Sequence, residues 1–379
     1  MDTLLEKSAS QNPKNLEDAR LNPFCLDLVD VKSIQGRPRT IVTNEPFTSI
    51  SPEVSVKCVM PPDAKTLKNF CSRIPLAGEL LDWLLAIYVA LGLVKEMRQS
   101  GTAGLITLGK KSGSLFCFLN SFKSMKGGPV LAYRALLPAN TGKLQNWFIK
   151  RLLGGVTLIA VWSRPQIENY HKAFGIPRER FVFFPYKANH SKYASANMPV
   201  GDYIFSGGNS ERDYKTLFEA VKGLPVPVII SATKPSVLRG LEIPENVICL
   251  NAVEPAFARL MAGARIVVLC LKKDIIRGTG EATMLNAMWH SKPVIIADNN
   301  SALDYIEDGK DGFITPAGDA AQVRNRILEL WKDPAMAARV GEAGRNKVAG
   351  FYTHDQYKTR IQVLTLFTFA DASRINASK

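Results

Sequence analysis

The 379-residue sequence predicts an α/β fold of two Rossmann-like, doubly wound domains that face each other across a cleft. Three observations predict it. The chain is longer than one hydrophobic core usually organises, which points to two domains of about 150–200 residues each. Short β-branched or apolar runs alternate with stretches of helical periodicity, the pattern of a mostly parallel sheet. The alternation also stops at a polar stretch, KANHSKYASANMPVGD, and then begins again.

In the first half the strand candidates are TIVTN, VSVKCVM, GLITLG, PVLAY, TLIAVWS and FVFFP. Helices are expected between them at about residues 78–98, 113–124, 142–154 and 164–174. After the polar stretch come YIFSG, VPVIISA, NVICL, RIVVLCL and KPVIIA, each followed by a helix. The expected organisation is an extension over 1–36, a first domain over 37–198 and a second over 199–350. A terminal segment, 351–379, follows; its Tyr357, Ile361, Leu364 and Phe367 recur at helical spacing, and it is expected to pack back on the first domain. The run WLLAIYVALGLV, Trp83 to Val94, is twelve residues long, whereas a bilayer span needs about 20. It is read as a helix buried against the first sheet.

Apolar residues make up 46% and charged residues 22%, a globular balance that sets aside disordered, fibrous and multi-span membrane classes. The six cysteines form no C-x-x-C pair and several sit in apolar runs such as VICL and VVLCL, so buried free thiols are expected. Four histidines without ligand spacing give no expectation of zinc or any other metal. The polar N-terminus lacks a signal-peptide core, and a cytoplasmic location is the default expectation. Residues 1–200 carry 26 Lys/Arg against 14 Asp/Glu, out of a net charge of +14. Between Met97 and Ile167 there are ten basic residues and no acidic one, which predicts a positive face and an anionic partner. No recognition motif supports a nucleic acid.

Two segments carry chemistry in the second half. In YIFSGGNSERDYKTLFEAV a strand runs into Gly207 and Gly208, then Arg212, then a helix, which is an anion site built from backbone N–H groups, a helix dipole and a guanidinium. In RGTGEATMLNAM the strand RIVVLCL ends in Gly278, Thr279 and Gly280, and a helix opens at Glu281 with Thr283 in its first turn. Two such loops at strand C-termini of one sheet point to a nucleotide diphosphate. In the first half, LGKKSGSLF places Lys110, Lys111, Ser112 and Gly113 in a strand-to-helix loop suited to an acceptor phosphate. KLQNWFIKRLLGG reads as a core helix, with Leu144, Trp147, Phe148, Leu152 and Leu153 inward, or as a membrane-surface helix with Lys143, Lys150 and Arg151 on its basic side.

The second of these segments resembles the donor-binding region of family four glycosyltransferases, which have the GT-B fold and in which a helix ending E-A-M precedes G-K-P-V-I. Here the matching residues are Asn286-Ala287-Met288 and Ser291 to Ile295, and Asp304 to Asp319 resembles the E-D-G-x-x-G-x-x-x-P-x-x-D stretch of that family. The resemblance covers about residues 157–345 well and the first half loosely. It implies that Arg212 holds the donor diphosphate, that the Gly280 to Thr283 backbone cradles the phosphates, and that Asn286 meets the donor ribose. Gly278 stands where the first glutamate of the E-x(7)-E motif is expected, and some branches share the form G-x-x-T-x-L-N-A-M. Where the family often has a histidine after the strand matching PVLAY, this chain has Tyr133 and Arg134.

The function expected from this reading is glycosyl transfer from a nucleotide-sugar to an acceptor of the lipid-linked or polysaccharide-precursor class. Arg134 is the candidate catalytic residue, stabilising the departing diphosphate, and no metal cofactor is expected. Retention of configuration is implied by the resemblance. The competing readings are a nucleotide-sugar epimerase or hydrolase of the same fold, and a non-catalytic transferase subunit, since fold alone does not fix chemistry. The basic face is expected to meet an anionic membrane surface.

Overall fold

The computed structural model describes residues 34, 38, 40–44, 54–62, 77–99, 101–137, 142–192, 200–299 and 301–377. The expected N-terminal extension, apart from Ile34, and the stretch 193–199 lie outside the described residues. The chain divides into two compact units. The first runs to Trp162 and adds Ile167–Phe184 and the chain from Lys358; the second comprises Ser163–Gln166 and Pro185–Tyr357. The division at Pro185 falls earlier than the 198/199 boundary read from the sequence. The reason is local: the turn Asn189–Lys192 packs on a helix of the second unit, with the His190 backbone N–H donating to Asn286 Oδ1 at 3.0 Å.

The first unit contains six parallel strands: β1 (Thr40–Thr43), β2 (Ser55–Cys58), β3 (Thr102–Thr107), β4 (Val130–Tyr133), β5 (Leu158–Val161) and β6 (Phe181–Phe183). Their spatial order is β2-β1-β3-β4-β5-β6. Central strands are fully buried on both faces and read as continuous apolar runs, as a parallel sheet covered on both sides requires. The crossovers are α1 (Ala77–Met97), α2 (Lys111–Asn120), α3 (Lys143–Gly154) and α4 (Arg164–Phe174). All four advance the chain in one direction along the sheet, so right-handed connections put them on one face.

The second unit repeats the plan with β7 (Ile204–Gly207), β8 (Val228–Ser231), β9 (Val247–Leu250), β10 (Ile266–Leu269), β11 (Val294–Ala297) and β12 (Phe313–Thr315). The order is β12-β11-β10-β7-β8-β9, all parallel. The sequence reading lacked β12, whose three residues are too short to show a period. Helices α5 (Tyr214–Val221), α6 (Ala256–Gly263), α7 (Glu281–Trp289), α8 (Ala302–Tyr305), α9 (Ala320–Lys332) and α10 (Pro334–Phe351) complete the unit. In α11 (His354–Ala377), Ile361, Leu364 and Phe367 are buried, and the helix joins the first unit from Lys358 onward.

Two expectations about the core are corrected. The run from Trp83 to Val94 is buried on one face of α1 only, and on α3 Ile149, Leu152 and Leu153 are buried while Leu144, Trp147 and Phe148 are exposed. Among the cysteines, Cys117 and Cys270 are buried, whereas Cys249 is exposed because β9 is the sheet edge.

A buried ion pair closes the second unit. Lys347 Nζ on α10 lies 2.5 Å from Asp311 Oδ2, and Asp311 also accepts from the Glu307 N–H at 2.9 Å. Removing only the cation leaves a desolvated carboxylate, so Lys347→Met is expected to lower unfolding free energy by about 3–5 kcal/mol in urea titration. Adding Asp311→Asn should recover most of that loss, because the amide keeps the Glu307 bond without the charge. A single-variant loss below about 1 kcal/mol would show that the pair is solvated.

Candidate donor site and its electrostatics

In the second unit the chain runs outward from β7 through β8 to β9, then returns to the other side of β7 as β10. The loops after β7 and β10 therefore part at a topological switch point, where open α/β sheets bind ligands. Both predicted glycine loops lie there, stitched together by a bridge between Arg212 and Leu271 and by the Arg277–Glu211 ion pair at 2.6 Å.

Arg212 reaches this junction with its side chain turned inward. Its Nε donates to Gly207 O, Nη1 to Ser210 O and Nη2 to Thr283 Oγ1, each at 2.9 Å. Burial lowers the guanidinium pKa, and an arginine side chain is not deprotonated in proteins. Gly208 has φ +111°, and a β-carbon there would stand 2.6 Å from Nη2, so the turn and the arginine require each other. Arg212 thus ties the β7 loop to the first turn of α7 and places a positive charge beside the N-terminus of that helix.

Glu281, the first residue of α7, is buried, and its Oε1 has no hydrogen-bond partner. A β-carbon added to Gly278 would lie 2.4 Å from that oxygen. The carboxyl therefore fills the space into which a side chain at 278 would point. Burial pushes its pKa up to about 7; its own backbone N–H, the Ser301 hydroxyl and Arg212 pull the other way, and Asp304 adds to the rise. The Gly278–Gly280 turn is held from behind, as Asn299 Nδ2 and Ser301 Oγ donate to Thr279 O at 3.1 and 3.3 Å, while Thr279 Oγ1 donates to Ser210 O at 3.2 Å.

Asn286 lies one turn beyond Thr283 on α7, buried, its Oδ1 engaged by the His190 N–H. His190 continues the chain of polar contacts: Nδ1 meets His290 Nε2 at 2.9 Å and Nε2 meets Glu254 Oε1 at 2.8 Å. Burial, followed by His190, Lys292 and Arg345, pushes the His290 pKa down to about 4, so its ring is neutral at physiological pH. His290 caps the C-terminus of α7, but the two histidines are separated by a hundred positions and their contact has no sequence signature.

The first unit has its own switch point, between β1 and β3. Asn44 clamps the two strand ends, accepting from Thr107 N at 3.0 Å and donating to Thr107 O at 3.3 Å. Lys110 Nζ donates to Asn44 O at 3.4 Å, Ser112 is buried at the start of α2, and Gly113 packs against Thr107 O, where a β-carbon could not fit. Lys111 is drawn aside, 2.6 Å from Glu79 and over the Trp83 ring. Arg134 follows β4, exposed, with φ +56°. A β-carbon at Gly109 would come within 3.9 Å of Arg134 Nε, so Arg134 and the lysine loop share one strand-end edge. A bulky residue held at positive φ is strained, and such strain collects at functional sites.

The structure thus gathers Gly207, Gly208, Arg212, Gly278, Thr279, Gly280, Glu281, Thr283 and Asn286 in the second unit, and Arg134, Lys110, Ser112 and Gly113 in the first. Lys111 points away. The sequence reading missed Asn44, His190, Asn299, Ser301 and Asp304, the last of which accepts from Arg164 N at 2.7 Å and from its Nη1 at 2.8 Å. Only Asp304 lay in a motif that could have flagged it.

Two expectations follow for the Gly278–Glu281 contact. Gly278→Ala should cost about 1–3 kcal/mol by overpacking, and adding Glu281→Ala should relieve part of it, giving a non-additive cycle in denaturant titration. The raised carboxyl also makes stability fall with pH. Between the usual 4.5 and about 7 the folded chain keeps a proton that the unfolded chain has released, so the contribution is complete below 4.5 and lost as pH rises through about 7. Glu281→Gln should flatten that part of the Tm-against-pH curve, a tenfold difference in proton affinity between the folded and unfolded chains being worth ~1.4 kcal/mol. Parallel wild-type and glutamine curves from pH 4 to 8 would show an ordinary exposed carboxyl.

Residues 236–347 match the family model of glycosyl transferases group 1. The Bacillus subtilis protein EpsD, a glycosyltransferase by name, is 32% identical over 68 residues, which is 18% of this chain and 18% of EpsD. Among solved structures, Anabaena HepE in complex with UDP and glucose superposes with a TM-score of 0.58 at 16% identity, covering 86% of this chain and 98% of HepE. TarM superposes with a TM-score of 0.56 at 12% identity, over 73% of this chain and 58% of TarM. The chain therefore matches less than a fifth of the length of EpsD. Its two doubly wound units are those of the GT-B fold, and residues 236–347 carry a glycosyl transferases group 1 domain.

Proposed function

We propose that the protein is a glycosyltransferase whose second unit binds a nucleotide-sugar through its diphosphate. The observation that carries this reading is the pairing, at one switch point, of the buried Arg212 cation with the N-terminus of α7, which lies within the residues that match the group 1 model. A diphosphate placed there gains oriented backbone donors and a fixed positive charge, which grows in value as the glycosidic bond breaks and the leaving group becomes more anionic. This stabilisation needs no metal ion. Arg134, strained and exposed at the edge that also carries Lys110, is assigned to the same leaving-group role. Retention of configuration is assigned from the family resemblance. Lys110, Ser112 and Gly113 are assigned to an acceptor of the lipid-linked or polysaccharide-precursor class, at the cytoplasmic face of a membrane.

Thermal shift with nucleoside diphosphates tests the donor site, because a ligand that binds only the native state raises Tm. UDP and UDP-glucose, present in HepE structures, are the first probes. A diphosphate is expected to raise Tm and the matching nucleoside not to. In turnover assays Arg134→Ala should lower kcat by about 10²–10³. No shift with any nucleoside diphosphate would overturn the reading. Binding with release of free or epimerised sugar would instead assign hydrolase or epimerase chemistry, and binding without any turnover a non-catalytic subunit.

A further inference from the structure

Helix α1 carries two apolar stripes. One, including Ala90 and Leu93, is buried and packs on β1 and β3. The other consists of Leu80, Trp83, Leu84, Ile87, Tyr88 and Leu91, spaced i, i+3, i+4, i+7, i+8, i+11, and ranges from 42% exposed at Ile87 to 63% at Leu80. The same layer continues through α2 to α3, where Phe118 stacks on Phe148 at 4.8 Å and meets Trp147 edge-on. On α3, Leu144 is 80% and Trp147 55% exposed. Two helices of one sheet face, α1 and α3, on either side of α2, therefore present large apolar side chains to water, which marks an interaction surface.

The surrounding charge identifies what covers it. From Met97 to Ile167 the chain has ten basic and no acidic residues. Ser121, Trp147, Lys150, Arg151 and Gly154 line a concavity of about 400 Å³ beside the apolar side chains, and the Arg151 guanidinium lies 4.3 Å from the Phe122 ring centroid. On α1, Glu79 and Glu96 are paired with Lys111 and Lys57, and Asp82 falls off the outer stripe by helical spacing. An apolar surface bordered by Lys143, Lys150 and Arg151 matches the interface of a bilayer that contains anionic lipid.

We infer that the outer faces of α1 and α3 dock this protein on an anionic bilayer, with α1 lying in the plane of the interface and Lys150 and Arg151 gripping a lipid phosphate. At 21 residues α1 is long and apolar enough to cross a membrane. Crossing would strip its inner stripe from the sheet, so the orientation in the interface is the one the fold permits. The docking stands on this surface alone; only its purpose, bringing the enzyme to a membrane-borne acceptor, rests on the transferase reading.

The test is co-sedimentation of the full chain with vesicles of phosphatidylcholine, alone or mixed with phosphatidylglycerol, at low and high salt. Two variants accompany the wild type: Leu84→Ser, Ile87→Ser and Leu91→Ser together, and Lys143→Glu, Lys150→Glu and Arg151→Glu together. The wild type is expected to bind the mixed vesicles, with a blue shift of tryptophan emission as Trp83 and Trp147 enter the interface. The glutamate variant should lose on the order of tenfold or more in partitioning at low salt. The serine variant should lose the binding that persists at high salt. Wild-type protein that fails to bind mixed vesicles, or that binds without help from either set of residues, overturns the docking. So does a dimer in sedimentation velocity that the serine variant lacks, with no vesicle binding, since a second copy then covers the face. Thermal shift with nucleoside diphosphate on all three proteins separates the two readings. An intact shift without vesicle binding sinks the docking alone, and vesicle binding without a shift sinks the transferase reading alone.

Discussion

A guanidinium taken out of water beside β7 must find carbonyl oxygens close at hand, and the local structure of the second unit follows from that demand. Arg212 obtains Gly207 O and Ser210 O from its own loop and Thr283 Oγ1 from α7, three bonds that together fix the separation of the two loops at the switch point. The glycine at 208 exists because the arginine occupies the space its side chain would take. Desolvating a charge costs several kcal/mol unless its donors are satisfied, so the loops cannot drift apart without exposing that cost. The result is a positive charge held in a fixed place beside the N-terminus of α7.

The same economy of space explains how the chain departs from its family pattern. Glu281 Oε1 already lies where the 278 side chain would begin, so a glutamate at 278 would have to displace the Glu281 carboxyl. With glycine at 278, the carboxyl comes from three residues further along. The unpartnered Oε1 and the raised pKa are consequences of one fact, burial without a full set of donors. Asn286 shows the complementary change. An amide there accepts from the His190 N–H and so anchors the segment that enters the second unit.

The first unit is organised by a different constraint. Its sheet needs covering on both faces, and on one of them α1 and α2 pack against the strands while α3 packs beside α2. The outward stripes are left apolar on α1 and α3 and basic around α3.

The sequence by itself determined the α/β class, the parallel sheets, the restart of the pattern and the positions of both glycine loops, since all of these follow from periodicity and punctuation within a few residues. The letters around Asn286 and Asp304 determined the family likeness. Tertiary structure alone decided which way the charged and apolar side chains turn. Periodicity shows that Trp83, Ile87 and Leu91 share a face but not that the opposite face takes the sheet, because α1 is apolar on both. Glycine at 208 and arginine at 212 are visible as letters, yet whether the guanidinium faces solvent or Gly207 O depends on how closely α7 approaches. His190 and His290 meet only because the Asn189–Lys192 turn is laid across α7. Contacts between distant segments are set by the packing of whole elements, and no local pattern of residues records that packing.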